Sequence, residues 1–279
     1  NMKFYCCTLL LLLSSILADA QVIVTKDVDY INDSVYDNGK DLLDIYMPQG
    51  KKNVPVIVYF HGGALLMGDK SLGESIGNKI AESGIGLVSV NYRLSPEFQH
   101  PTHVNDAAAA TAWVIKNIDG YGGNPLKVYV GGHSAGAYLA ALLAIDPSLL
   151  QIHKIEDSKL AGAVLISPFL YVEETAKDRI EKDSIYQTIW GNDPQSWIQA
   201  SVKPHILPNR DNILLIYADG DDAWRKEQNE RFATAMTSAG NLRVFTKEVP
   251  NRTHTTLIKA ILDNDDMIVN LLSDFVMKE

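Results

Sequence analysis

The chain has 279 residues, 46% of them hydrophobic and 21% charged, an ordinary globular composition and enough for one large α/β domain or two small ones. Its formal net charge is -9 at pH 7 and its pI about 5.3, so its field disfavours nucleic acid and anionic membrane as partners. Both cysteines, Cys6 and Cys7, lie in an apolar N-terminal stretch. The rest of the chain therefore has no thiol for a disulfide, a cysteine zinc site or a cysteine nucleophile, and no metal or other cofactor is expected.

Residues 2–20 read MKFYCCTLLLLLSSILADA, with Lys3 ahead of the apolar run and Ala18 and Ala20 at the −3 and −1 positions of a cleavage site. This predicts a signal peptide over 1–20, cut after Ala20, and a secreted or periplasmic catalytic domain over 21–279. The run is shorter than the roughly 20 residues that cross a bilayer, and Ser14 and Ser15 interrupt it, so no membrane association is expected after removal. Two Asn-x-Ser/Thr sequons begin at Asn32 and Asn251. A glycan at Asn251 would crowd His254, which points to a bacterial periplasmic or extracellular protein that is not glycosylated.

Strands are predicted over 42–47, 55–60, 86–91, 127–130, 163–166, 213–218 and 243–249, several of them continuous apolar runs (VIVYF, AVLIS, ILLIYA) suited to burial on both faces. Helices are predicted over 72–83, 104–118, 135–145, 226–239 and 254–277, with Gly84 and Gly240 as stops. The alternation implies βαβ units and a mostly parallel sheet. The stretch 170–212 breaks the rhythm: it is charged and carries Tyr171, Tyr186, Trp190 and Trp197. It is either a helical connection with packing aromatics or a small cap that shapes substrate choice.

Gly132-His-Ser-Ala-Gly136 follows the apolar KVYV and precedes the helical AYLAALLAI. Strand, turn, helix is the setting that holds a serine up as a nucleophile, so Ser134 is the candidate. A serine hydroxyl needs a base, itself oriented by an acid. Of the seven histidines, His100, His103, His153 and His205 sit in helical or connecting segments, and His61 and His133 sit inside glycine motifs. His254, in the loop PNRTH after the last strand, fits the chain order Ser, acid, His. The loop after ILLIYA offers three acids: Asp219, Asp221 and Asp222. Phe60-His-Gly-Gly-Ala64 leaves a buried strand without bulky side chains, so the N–H groups of Gly63 and Ala64, joined by that of Ala135, are candidate oxyanion donors.

From about Asp44 to the C-terminus the chain resembles the α/β-hydrolase superfamily, in its esterase–lipase branch. That branch includes hormone-sensitive-lipase-like carboxylesterases, small secreted feruloyl and acetyl esterases, and kynurenine formamidases. The motifs are HGGALLMGDK, NYRLSPE, DAAAATAWV, GGHSAGAYLA, YADGDD and NRTHTTLI. The resemblance implies an α/β-hydrolase fold with helices on both faces of the sheet and a small cap insertion. It implies Ser134 as nucleophile, His254 as base, and Asp221 as acid, counted from Ala218 and from Gln228, with Asp222 as the alternative. It also implies Gly63, Ala64 and Ala135 as oxyanion donors, with Tyr92 and Arg93 bracing the elbow. Two positions depart from the pattern: Leu65 stands where an aromatic is common, and Trp224-Arg225 replaces a Val-Pro pair. The expected function is hydrolysis of carboxylic esters with a short acyl chain or an aromatic acid, free or linked to a plant polysaccharide. The alternatives are an arylformamidase and, with catalysis lost, a binding module.

Overall fold

The computed structural model describes residues 21–31, 38–156, 160–263 and 267–278. The signal peptide and the Asn32 sequon lie outside the described residues.

Among the described residues, eight strands form one sheet: β1 (Val22–Asp29), β2 (Leu42–Pro48), β3 (Val54–Phe60), β4 (Gly86–Val90), β5 (Gly123–His133), β6 (Leu160–Ile166), β7 (Ile213–Ala218) and β8 (Val244–Val249). Their spatial order is β1-β2-β4-β3-β5-β6-β7-β8. β2 runs antiparallel to both of its neighbours, and β3 to β8 are parallel. The helices are α1 (Glu74–Glu82), α2 (Thr102–Asn117), α3 (Ala135–Ile145), α4 (Ser148–Gln151), α5 (Val172–Lys182), α6 (Gln187–Trp190), α7 (Pro194–Ala200), α8 (Ala223–Ser238), α9 (Thr256–Lys259) and α10 (Met267–Met277).

The continuous apolar strands divide their side chains between two cores, as the twofold period of a strand requires. Val56, Val58 and Phe60 of β3 face a core shared with α2, α3 and α8. Ile57 and Tyr59 face the other, shared with α1, α9 and α10. The result is the expected α/β-hydrolase fold: a mostly parallel sheet covered on both faces.

Two elements differ from the sequence pattern. β1 is an extra edge strand, missed because it is largely exposed and its alternation is broken by Lys26-Asp27. A register shift lies between Thr25 and Val28, where Asp27 has φ 58° and its N–H donates to Asp44 Oδ1 at 2.9 Å. The helix expected over 254–277 is instead α9, a 3-10 turn over Ala260–Asp263, and α10.

Residues 170–212 fold as α5, α6, α7 and short turns. The aromatics there pack inward. Trp190 is buried, edge-on to Phe169 at 5.7 Å, and Phe169 stacks on Tyr138 of α3 at 4.6 Å. Tyr138 hydroxyl donates to the Ala200 carbonyl at 2.7 Å, pinning the insertion to the helix that follows Ser134. Trp197 Nε1 donates to the Gly191 carbonyl at 3.0 Å.

Candidate active site

Ser134 joins β5 to α3 with φ 55° and ψ −118°. This conformation is strained for an L residue and turns the chain sharply enough to lift the hydroxyl clear of the strand end. The flanking glycines make the turn possible. A Cβ on Gly136 would overlap the Phe60 carbonyl oxygen of β3, and one on Gly132 would lie 2.5 Å from that same oxygen.

His254 closes in from the loop after β8. Its Nε2 lies 2.9 Å from Ser134 Oγ, and its Nδ1 lies 3.0 Å from Asp221 Oδ1. A carboxylate accepts only, so Nδ1 carries the proton, and Nε2 keeps its lone pair for the serine hydroxyl. Asp221 follows β7 and is buried. Burial opposes its ionisation. Hydrogen bonds from His254, the Ala218 N–H at 2.9 Å and the Ser167 hydroxyl at 2.7 Å outweigh that and hold it below the usual carboxylate range.

The other two acids of the loop go elsewhere. Asp219 accepts from the N–H groups of Asn251 at 2.8 Å and Arg252 at 3.1 Å, which ties the acid loop to the histidine loop. Asp222 is exposed and opens α8.

The loop after β3 lies against the serine: a Cβ on Gly62 would come within 3.1 Å of the His133 carbonyl and 3.4 Å of Ser134 Cβ. Gly63, Ala64 and Leu65 have φ of 121°, 58° and 64°, a left-handed curl. Gly63 is required there, since a Cβ would overlap the Met67 carbonyl. Ala135 begins α3, where the first N–H groups have no intrahelical acceptor and the helix dipole favours negative charge. Tyr92 holds the loop from below, its hydroxyl donating to the His61 carbonyl at 2.7 Å and its ring stacked on His61 at 4.4 Å. Arg93 grips Asp106 of α2 through Nε at 2.9 Å and Nη2 at 2.7 Å and so ties the segment after β4 to α2.

Three residues have roles at the site that the sequence reasoning did not assign. Ser167, directly after β6, donates to Asp221 Oδ2, and its Oγ lies 2.9 Å from His254 Nδ1, so the imidazole proton is shared between two oxygens. Arg225 donates from Nη1 to the Ser167 carbonyl at 3.0 Å, and its Nε lies 3.8 Å from Asp221 Oδ1. His133 faces His254 with ring centroids 4.7 Å apart, and its Nε2 donates to the His254 carbonyl at 2.9 Å. Burial, then the neighbouring His254, push His133 down to about 3, so it is a neutral prop for the loop. The one sequence cue was that His133 is fixed beside Ser134 by chain adjacency. Ser167 and Arg225 meet Asp221 only through the sheet.

The two departures behave differently. Leu65 is fully buried in the core, whereas Trp224 is half-exposed at the head of α8.

A serine with a paired imidazole, a buried carboxylate behind it and the N-terminus of α3 at its side can carry out nucleophilic acyl transfer. Residues 57–258 match the model of a family described as alpha/beta hydrolase fold. Among curated proteins, Esterase LipQ of Mycobacterium tuberculosis is 28% identical over 253 residues, 85% of this chain and 59% of that protein. The chain thus spans under two thirds of LipQ's length. Kynurenine formamidase of Salmo salar is 28% identical over 243 residues, 82% of this chain and 76% of that protein. Among solved structures, a truncated carbohydrate esterase from gut microbiota superposes with a TM-score of 0.78 at 21% identity, covering 94% of this chain and 97% of that one.

Proposed function

The chain belongs to the alpha/beta hydrolase fold family, and from that premise we propose that it is a serine hydrolase that cleaves carboxylic esters through an acyl-enzyme. The observation that carries this is the continuous relay from Ser134 Oγ through His254 to Asp221, with contacts of 2.9 Å and 3.0 Å.

Ser134 Oγ attacks the ester carbonyl as His254 Nε2 takes its proton. Asp221, aided by Ser167, keeps the ring in the right tautomer and offsets the charge that forms on it. Backbone N–H groups of Gly63, Ala64 and Ala135 hold the oxyanion, and Ala135 lies at the positive end of α3. His254 then gives its proton to the leaving alcohol. Water, deprotonated by the same nitrogen, attacks the acyl-enzyme and restores Ser134.

The finer reading is a short-acyl or aromatic-acid ester, with acetyl or feruloyl groups on polysaccharide as the natural form. A carbohydrate esterase among the fold neighbours supports the polysaccharide setting. Secretion fits the same setting. β1 begins at Val22, so cleavage after Ala20 leaves every described strand whole. A second reading, cleavage of an aryl formamide by the same residues, is favoured by the formamidase relative and its coverage of both chains.

The test is a kcat/KM panel of p-nitrophenyl acetate, butyrate and octanoate, methyl ferulate, acetylated xylan and N-formylkynurenine. Preference for ferulate or acetyl-xylan is expected. A dominant rate on N-formylkynurenine would replace the ester reading with the amide one.

A further inference from the structure

Between α5 of the insertion and the head of α8 lies a cavity of about 220 Å³, lined by Glu174, Thr175, Asp178, Arg179, Lys182, Trp224 and Gln228. Its position ties it to the reaction centre. Trp224 and Gln228 lie on α8, which begins two residues after Asp221. Arg179 lies over the ring of Phe169, 4.9 Å from its centroid, and Phe169 stacks on Tyr138, one helical turn beyond Ser134.

Arg179 is the unusual wall. Its guanidinium is held by rings, Phe169 on one contact and Tyr186 at 5.3 Å on the other, and its Nη1 is buried with no hydrogen-bond partner among the described residues. Two stacked rings fix the direction of a guanidinium but satisfy none of its N–H groups. Burial holds Arg179 below its ordinary range, and Tyr186 and Asp178 offset that only in part, so the cation is under-compensated, a cost that further anionic charge beside it would reduce.

The carboxylates nearby are already engaged. Glu174 takes both Arg231 Nη2 at 2.7 Å and Nη1 at 3.3 Å, and also Gln228 Nε2 at 3.2 Å. Asp178 takes Lys182 at 2.8 Å. A second cation stands close by. Arg225 is buried with its guanidinium 4.6 Å over Trp224, and burial, then the charge of Arg179, hold it down to about 10. An anion in the cavity would supply the charge that Arg179, one of its walls, lacks.

We propose that this cavity is a subsite for a free carboxylate carried by the ester substrate, with Arg179 as its anchor and Trp224 as the apolar wall beside it. Arg179 is thus a specificity-determining residue. The proposal rests on the ester-hydrolase reading above. The carboxylate has two chemical sources: the far end of a dicarboxylic half-ester, on the acyl side, or an acylated sugar acid, on the alcohol side.

Two matched pairs separate them: p-nitrophenyl hydrogen adipate against p-nitrophenyl hexanoate, and acetylated glucuronic acid against acetylated glucose. In one pair the anionic member should be preferred roughly 10- to 100-fold in kcat/KM, chiefly through KM. The pair that shows it identifies the side. Arg179→Gln should collapse that ratio while leaving turnover of the neutral partner in place, and Arg179→Lys should keep part of it. A ratio taken within one variant cancels any loss of folded protein. Equal rates on both members of both pairs, or a preference that survives Arg179→Gln, would overturn the subsite alone. No turnover of any of the four esters would remove the ester-hydrolase reading and the subsite with it.

Discussion

The strand-end face that carries Ser134, His254 and Asp221 and the helical insertion over 170–212 are built on opposite plans. At the strand ends the side chains come from the ends of β3, β5, β6, β7 and β8 or the loops after them, and the polar atoms of Ser134, His254 and Asp221 find partners in one another and in their neighbours. Asp221, for example, receives three hydrogen bonds. The insertion is made of short helices with exposed charges, and leaves Glu173 Oε2, Arg179 Nη1 and Trp190 Nε1 buried without hydrogen-bond partners among the described residues. The lesson is a division of labour. A parallel sheet registers its strand ends to a fraction of an ångström, which acyl transfer requires. A helical insertion packs through a few aromatics and is free to vary what it offers a substrate.

The sharpest way to test that division is to remove the nucleophile. Ser134→Ala should lower kcat by about a millionfold with the melting temperature unchanged, because an alanine adopts the same backbone and loses no packing. Residual esterase activity near the wild-type level would place the chemistry elsewhere. Next in size is Asp221→Asn, which leaves the shape but favours the wrong tautomer, at a cost of about ten-thousandfold. Asp222→Asn, at an exposed position, should change kcat by no more than about twofold. If the two effects were exchanged, the assignment of the acid would be wrong.

Ser167→Ala removes one hydrogen bond to an ionised carboxylate and should lower kcat roughly 10- to 100-fold, with KM little changed. A purely structural serine would instead show itself in the melting temperature alone. The insertion should invert this pattern. Trp190→Ala opens a cavity in its core and should cost about 3–5 kcal/mol, a fall of roughly 10 °C in melting temperature. At a temperature where the variant is folded, kcat on p-nitrophenyl acetate should stay within about tenfold of wild type. A catalytic collapse with stability intact would show that the insertion takes part in the chemical step.

The smallest effect comes from buried histidines outside the insertion, His61 and His133 at the strand ends and His100 and His103 at the start of α2. Burial pushes His61 and His100 down to about 4, and His103 and His133 down to about 3, from an ordinary 6.5. They are neutral in the fold, while the unfolded chain takes up protons below 6.5, so stability is full above that pH and is lost as pH falls towards 4. Melting temperatures should drop steadily between pH 6.5 and 4.5, and removing one site, as in His103→Gln, should flatten the slope. A flat profile over that interval would mean these histidines carry protons in the fold.

Much of the site was legible because its signals are local or ordered along the chain. GHSAG needs glycines on both sides of Ser134 whatever else surrounds it, since Gly136 must clear the Phe60 carbonyl. His254 could be picked from seven histidines because strand order dictates which loop reaches the elbow. Asp221 was separable from Asp222 only through the family pattern, and Asp219, the third candidate, proved to be the tie between two loops. β1 was not legible, because an exposed edge strand held by backbone bonds has no apolar alternation to betray it.

The periodic apolar runs, the glycine frame around the serine and the order of Ser134, Asp221 and His254 were determined by the sequence itself. Each follows from what a few neighbouring residues can and cannot do with their own backbone and side chains. The share of Ser167 in the imidazole proton, the prop of His133 under His254, and the place of Arg179 between two rings at a cavity wall were decided only by tertiary structure. Ser167 and Asp221 are separated by 54 positions, and His133 and His254 by 121. No propensity or period acts over such distances, and only the packing of parallel strand ends and the helices laid on them brings those atoms together.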